Sequence, residues 1–146
     1  MDAYFEDDME EKLMVKLLTD VFKKLPPDSY LCVDILFDFV FKDGFLPKLN
    51  QVKEEMIGHQ GFCCFKFKLT PDCVDYLIES LEEDNLLVNY LCHYMVINGT
   101  EVLLNAYDRT LITVREDFNI SQDFIQECSK YEIYISTEDK ITSTFN

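Results

Sequence analysis

Asn98-Gly99 sits between two apolar runs in the stretch LLVNYLCHYMVINGTEVLLNAYD. This dipeptide is preferred in two-residue type I′ hairpins, because both loop positions need positive φ and the turn's twist matches that of the flanking strands. The feature commits the middle of the chain to antiparallel pairing. With Asn98-Gly99 as the loop, Ile97 faces Thr100, Met95 faces Val102, His93 faces Leu104 and Tyr90 faces Tyr107. One side of that hairpin then carries Leu91, His93, Met95, Ile97, Val102, Leu104 and Ala106, which reads as core. The other carries Tyr90, Cys92, Tyr94, Val96, Glu101, Leu103, Asn105 and Tyr107, an aromatic and polar face that suits either a partner or a covering helix.

Two further runs alternate with the period of a half-buried strand. In YLCVDILFDFVFKDG, Leu31, Val33, Ile35, Phe37, Phe39 and Phe41 share one side, and Asp43-Gly44 ends the run. In GFCCFKFKLT, Cys63, Phe65, Phe67 and Leu69 alternate with Cys64, Lys66 and Lys68. Antiparallel pairing of the two would set Lys66 and Lys68 against Asp34 and Asp38. The segment 45–60 reads as irregular, with one short helix around Leu49 to Ile57. TLITVRED and YEIYIS supply two more strands, the first after a turn at Asp108-Arg109, and residues 137–146 read as a polar tail.

Three segments carry the helical period instead. Over residues 3–25, Phe5, Met9, Leu13, Leu17 and Val21 step by four, and LPPDS stops the helix. Over 70–84, Thr70 is placed to cap, Pro71 takes the first helical position, and Cys73, Leu77 and Leu81 form the inward stripe. Ser121 is placed to cap a third helix through Lys130, with Phe124, Ile125 and Cys128 inward. The order is helix, two strands, helix, three strands, helix, strand. That order predicts one α+β domain over residues 1–146, with a mainly antiparallel sheet and helices packed on one face. Twelve Phe and eight Tyr among 146 residues supply its core.

Charge and chemistry narrow the function. Net charge is −15, Arg109 and Arg115 are the two arginines, and the lysines are dispersed. A phosphate-tracking groove needs clustered Lys and Arg, so direct nucleic-acid binding and adhesion to anionic membrane are not expected. No apolar run is long enough to span a bilayer, and the acidic N-terminus resembles no export signal, so a cytoplasmic protein is expected. The six cysteines lack a compact recurring spacing and read as buried thiols in a reducing compartment. Cys92 and His93 are adjacent in a strand and therefore point to opposite faces, and His59 lies in a glycine-flanked loop. His93 itself reads as a core residue. No metal-ligand, calcium-loop or phosphate-cradle spacing occurs, so neither a metal nor a cofactor is expected, and the chain does not read as an enzyme.

The carboxylates are concentrated beyond what local stability asks. Acids in a helix's first turn suit its dipole, but Glu6–Glu10 and Asp7–Glu11 are like-charge pairs four apart, each costing about 0.2–0.5 kcal/mol. A second cluster, Glu79, Glu82 and Glu83, closes the helix over 70–84, where the dipole disfavours it. These residues are either a solvated surface or the candidates for steering a basic protein partner, with Tyr94 and Tyr107 as its apolar anchors.

The stretches FEDDMEE, IESLEEDN and LLNAYDRT, within a small acidic α+β chain lacking catalytic machinery, make the whole resemble bacterial toxin-immunity proteins. That resemblance implies a cytoplasmic antidote that covers the basic surface of a cognate toxin domain, in many cases a nuclease, and blocks access without reacting. Two other readings use the same residues differently. A DNA-mimic inhibitor of a DNA-binding enzyme would space its carboxylates like phosphates along one face. A small cytosolic Cys/His enzyme would depend on Cys92 or His59.

Overall fold

The structure is a computed structural model that describes residues 3–36, 53–59, 62–83, 93–108 and 110–141. Helix α1 runs from Ala3 to Lys23. It buries Leu13, Met14, Leu17, Leu18, Val21 and Phe22, the stripe that a 3.6-residue period puts on one side. Beyond it Pro26 and Pro27 forbid helix, and Asp28 takes a left-handed φ of 66° to redirect the chain. The Ser29 hydroxyl donates to the Pro26 carbonyl at 2.8 Å and closes this turn.

Strand β1, Ser29–Leu36, follows. Strand β2, Lys53–His59, occupies the segment where a short helix was expected. Its pairing with β3, Phe62–Lys68, satisfies the backbone of a stretch whose own pattern is weak, so tertiary context decides its conformation. β1 and β3 are antiparallel, as expected, with Cys32 opposite Lys66 and Tyr30 opposite Lys68. Lys66 lies over the Tyr30 ring, 4.9 Å from its centroid, and Lys68 reaches Asp28 at 3.9 Å. The Asp38 half of the expected charge pairing lies outside the described residues, as do Phe37, Phe39 and Phe41.

Helix α2, Pro71–Glu83, begins as its sequence dictates. The Thr70 hydroxyl accepts from the Cys73 N–H at 3.2 Å, and Pro71 holds the first helical position, where no N–H is needed. Cys73, Leu77 and Leu81 are buried.

The hairpin of β4, His93–Asn98, and β5, Glu101–Asp108, forms where expected but in another register. Asn98 pairs with Glu101, so the loop is Gly99-Thr100. Of those two residues only Gly99 has positive φ, at 61°, which is the II′ pattern rather than I′. Asn98 is held in the strand by its side chain, which donates to the Pro27 carbonyl at 2.8 Å and to the Ser29 hydroxyl at 3.3 Å. Ile97 then faces Val102, and a bulge leaves Leu103 unpaired before Val96 meets Leu104 and Tyr94 meets Ala106. One extra residue reverses the parity of the pairing and hence the faces of β4. Tyr94 and Val96 are buried under the helices, while His93, Met95 and Ile97 are half-buried on the opposite side. His93 therefore leaves the core assigned to it, and Leu103 joins the core instead of the aromatic face.

Strand β6, Leu111–Arg115, pairs antiparallel with β5 through Asp108 and Leu111. A 3-10 turn over Glu116–Phe118 buries Phe118 and ends at Asn119 in the left-handed region. Helix α3, Gln122–Ser129, is capped by the Ser121 hydroxyl, which accepts from the Phe124 N–H at 3.1 Å. It crosses over to β7, Tyr134–Glu138, which lies parallel to β6. The strand reaches into the expected polar tail, and Ile141 then bridges Val102.

The result is an α+β fold with, among the described residues, one mixed, mostly antiparallel seven-stranded sheet in the order β2-β3-β1-β4-β5-β6-β7. The buried side chains of α1, α2 and α3 join those of the inner sheet face in a single cluster, so the three helices share one side. No helix among the described residues is long and apolar enough to cross a membrane.

Candidate functional site

The connections fix the directions of the helices. α1 ends at Lys23, a short turn before β1 begins at Ser29. β3 ends beside that same start, with Lys68 opposite Tyr30, and α2 begins three residues later at Pro71. The end of α1 and the start of α2 therefore lie at one end of the sheet. α1 and α2 pack against each other and run antiparallel. Thirteen residues of α2 cover about 20 Å, and the same length counted back from Lys23 reaches the turn of Glu10. Glu79, Glu82 and Glu83, in the last turns of α2, thus come level with Glu10, and Glu6 and Asp7 lie about one turn further out on α1. Glu79 is exposed and Glu10 half-buried. Two acid-rich helix ends that are far apart in sequence share one end of the helical layer.

The tyrosine pair separates. Tyr94 is 0% exposed, so it is a core residue and not a surface anchor. Tyr107, next in β5 to Ala106, the cross-strand partner of Tyr94, lies on the opposite face and is 66% exposed. Tyr90, the third member of the expected aromatic face, lies outside the described residues. On the outer sheet face Tyr107 is joined by Leu111 at 45% and Tyr134 at 52% exposure, the large hydrophobics most exposed among the described residues. Leu111 and Tyr134 are direct partners across β6 and β7, and Tyr107 bulges out of β5 just before Asp108 meets Leu111. The His93 ring lies beside Tyr107, with centroids 6.5 Å apart. All three residues sit at the end of the sheet where β1 leaves and β4 begins, because β4, β5 and β6 alternate in direction and β7 follows β6. That is the end that carries the acid-rich helix termini. Leu111 and Tyr134 were not singled out in the sequence. Their signal was the alternation in TLITVR and EIYIS, where they stand out of phase with the apolar residues that became core.

At the opposite end the geometry is that of a structural clamp. Arg115 donates to both carboxylate oxygens of Asp117 at 2.8 Å and to Glu101 at 3.2 Å. The hydrogen bonds from Arg115 hold the Asp117 carboxyl below its usual range.

The described thiols are Cys32, Cys73 and Cys128, all buried and none of them in a disulfide. Burial pushes the Cys73 and Cys128 thiols up to about 11. They stay protonated at neutral pH, which is the wrong state for a nucleophile. Because the folded chain holds these protons more tightly than the unfolded chain, stability falls as pH rises from 9.0 toward 11. Urea midpoints measured across that window should decline steadily, and the two thiols should react with Ellman's reagent at pH 8 only once the chain is unfolded. A flat midpoint, or prompt labelling of Cys73, would contradict their burial. Among the described residues no group of three His, Cys, Asp or Glu side chains is arranged to hold a metal ion. No protein-family model matches the chain, and neither a curated protein nor a solved structure is significantly similar to it.

Proposed function

We propose that this chain is a non-enzymatic acidic binding protein: a cytoplasmic immunity protein that neutralises a cognate toxin by covering a cationic surface, such as the substrate groove of a nuclease. The observation that supports this best is the convergence of the α1 start and the α2 end, which gathers Glu6, Asp7, Glu10, Glu79, Glu82 and Glu83 at one end of the fold. A concentrated anionic end steers a basic partner by long-range attraction and does so in a salt-sensitive way. Tyr107, Leu111 and Tyr134 at the same end take over the anchoring role first given to Tyr94 and Tyr107. Tyrosine at an interface brings large contact area with a polar tip, and such residues govern the off-rate. The acidic residues belong to the termini of two helices and do not recur along one element, which favours a compact basic protein surface over DNA mimicry.

The reading is tested on the partner complex. Tyr107→Ala and Tyr134→Ala are each expected to weaken binding by about 2 kcal/mol, read as faster dissociation, while changing folding stability by no more than about 0.5 kcal/mol. Unchanged dissociation in the double variant would remove the outer face from the interface.

A further inference from the structure

A groove of about 640 Å³ runs between the C-terminal half of α1 and the turn that starts α3. Its size is that of small-molecule sites. Four lysines line it, Lys12, Lys16, Lys23 and Lys24, against one carboxylate, Asp20. This is an unusual local sign in a chain of net charge −15 with only eleven lysines. Lys12, Lys16 and Lys23 recur on α1 at intervals of four and seven, which a helix brings to one face. Lys24 has structural work: it pairs with Asp20 at 3.1 Å and donates to the Phe118 carbonyl at 2.8 Å. The far wall is mixed, with Asn119 and Ser121 polar and Ile120 and Phe124 apolar. Ile120 and Phe124 are half-buried there, and the Lys16 ammonium stands 5.3 Å from the centroid of the Phe124 ring. The groove thus offers cations on one side and, facing them, two apolar side chains set among polar ones.

We propose that this groove binds a small amphipathic organic anion, a phosphate or carboxylate carried on an aromatic or branched aliphatic body. The head group meets Lys16 and Lys23, and the body lies against Phe124 and Ile120. Lysine ammoniums bind such head groups as point charges. Phe124 and Ile120 contribute by burying the apolar body. The inference is independent of the acidic end, which lies at the other terminus of α1.

Phenyl phosphate is the probe, titrated into the isotope-labelled full chain and followed by amide chemical shifts, with phenol and inorganic phosphate in separate titrations. Saturable shifts centred on Lys16, Lys23, Ile120 and Phe124 are expected for phenyl phosphate, with both fragments binding more weakly. Lys16→Gln and Lys23→Gln, surface changes that leave the core intact, should each weaken it roughly threefold to tenfold. The absence of saturable shifts in the groove up to about 10 mM phenyl phosphate, a ceiling above which even weak sites go unseen, would overturn the proposal. So would phenol binding equally well, inorganic phosphate binding equally well, or unchanged affinity in the Lys16→Gln/Lys23→Gln double variant.

Discussion

Replacing Tyr94 by alanine is expected to destabilise the fold by about 3–5 kcal/mol, whereas Tyr94→Phe should stabilise it by about 0.5–1.5 kcal/mol. The opposite signs follow from one side chain with two different ends. The ring is fully buried beside Val96 and Ala106 beneath the helices, so its removal leaves a cavity the size of an aromatic ring in a close-packed core. The hydroxyl is buried too, and among the described residues it has no hydrogen-bond partner. An unsatisfied buried hydroxyl costs about 1–3 kcal/mol of lost hydration, which phenylalanine does not incur. The same burial raises the phenol's pKa, so Tyr94 should not ionise in an alkaline spectrophotometric titration until the chain unfolds. Against a typical total stability of about 5–15 kcal/mol, the alanine variant would be marginal or unfolded at 37 °C. Equilibrium urea unfolding of the two variants measures both effects. Loss of stability in Tyr94→Phe would mean that the hydroxyl is bonded after all.

Tyr94 also shows where sequence reading succeeds and where it stops. The helices were legible because their signals are local. The stripe Leu13, Leu17 and Val21, the Thr70 and Ser121 caps, and Pro71 all act within one or two turns, and each stands where its spacing placed it. Strand existence was legible from alternation in the same way. Facing was not, because it depends on register, and register depends on a single bulge at Leu103 and on a side chain, Asn98, tied to a loop 71 residues earlier. One residue of slip moved Tyr94 inward and His93 outward. β2 was missed for a related reason: KEEMIGH has little pattern of its own and forms a strand because β3 offers it a ladder. Of the candidate site, both acidic clusters could be read directly, but their shared end could not. It emerges only from the antiparallel packing of α1 and α2. Arg115 illustrates the same limit, since its clamp needs Asp117 from the next turn and Glu101 from another strand.

The second large effect concerns association. Reversing Glu6, Glu10, Glu79 and Glu83 to lysine changes the charge by two at each site and takes the chain from −15 to −7. If the steering field comes from this end of the fold, partner association should slow by about 10- to 1,000-fold, and most of its salt dependence should vanish. A control is needed, because any loss of net charge weakens attraction. Asp72, Asp123, Glu138 and Asp139 are exposed and belong to the opposite end, at the starts of α2 and α3 and the end of β7. Reversing these four gives the same net charge with the acid-rich end intact. Helix-dipole effects of the changes are about 0.3–1 kcal/mol each and do not threaten the fold. The control should retain fast association, and the loss should be confined to the first variant.

Affinity capture with these three chains tests the claim most directly. Each is immobilised and exposed to lysate and secreted protein of the source cells at about 0.05 M and about 0.5 M salt, concentrations at which screening is weak and strong respectively. The unaltered chain and the control are expected to retain one basic protein with toxin activity at low salt, and the chain reversed at Glu6, Glu10, Glu79 and Glu83 to lose it. Retention of that protein by all three chains alike, or of no basic protein by any, would contradict the account.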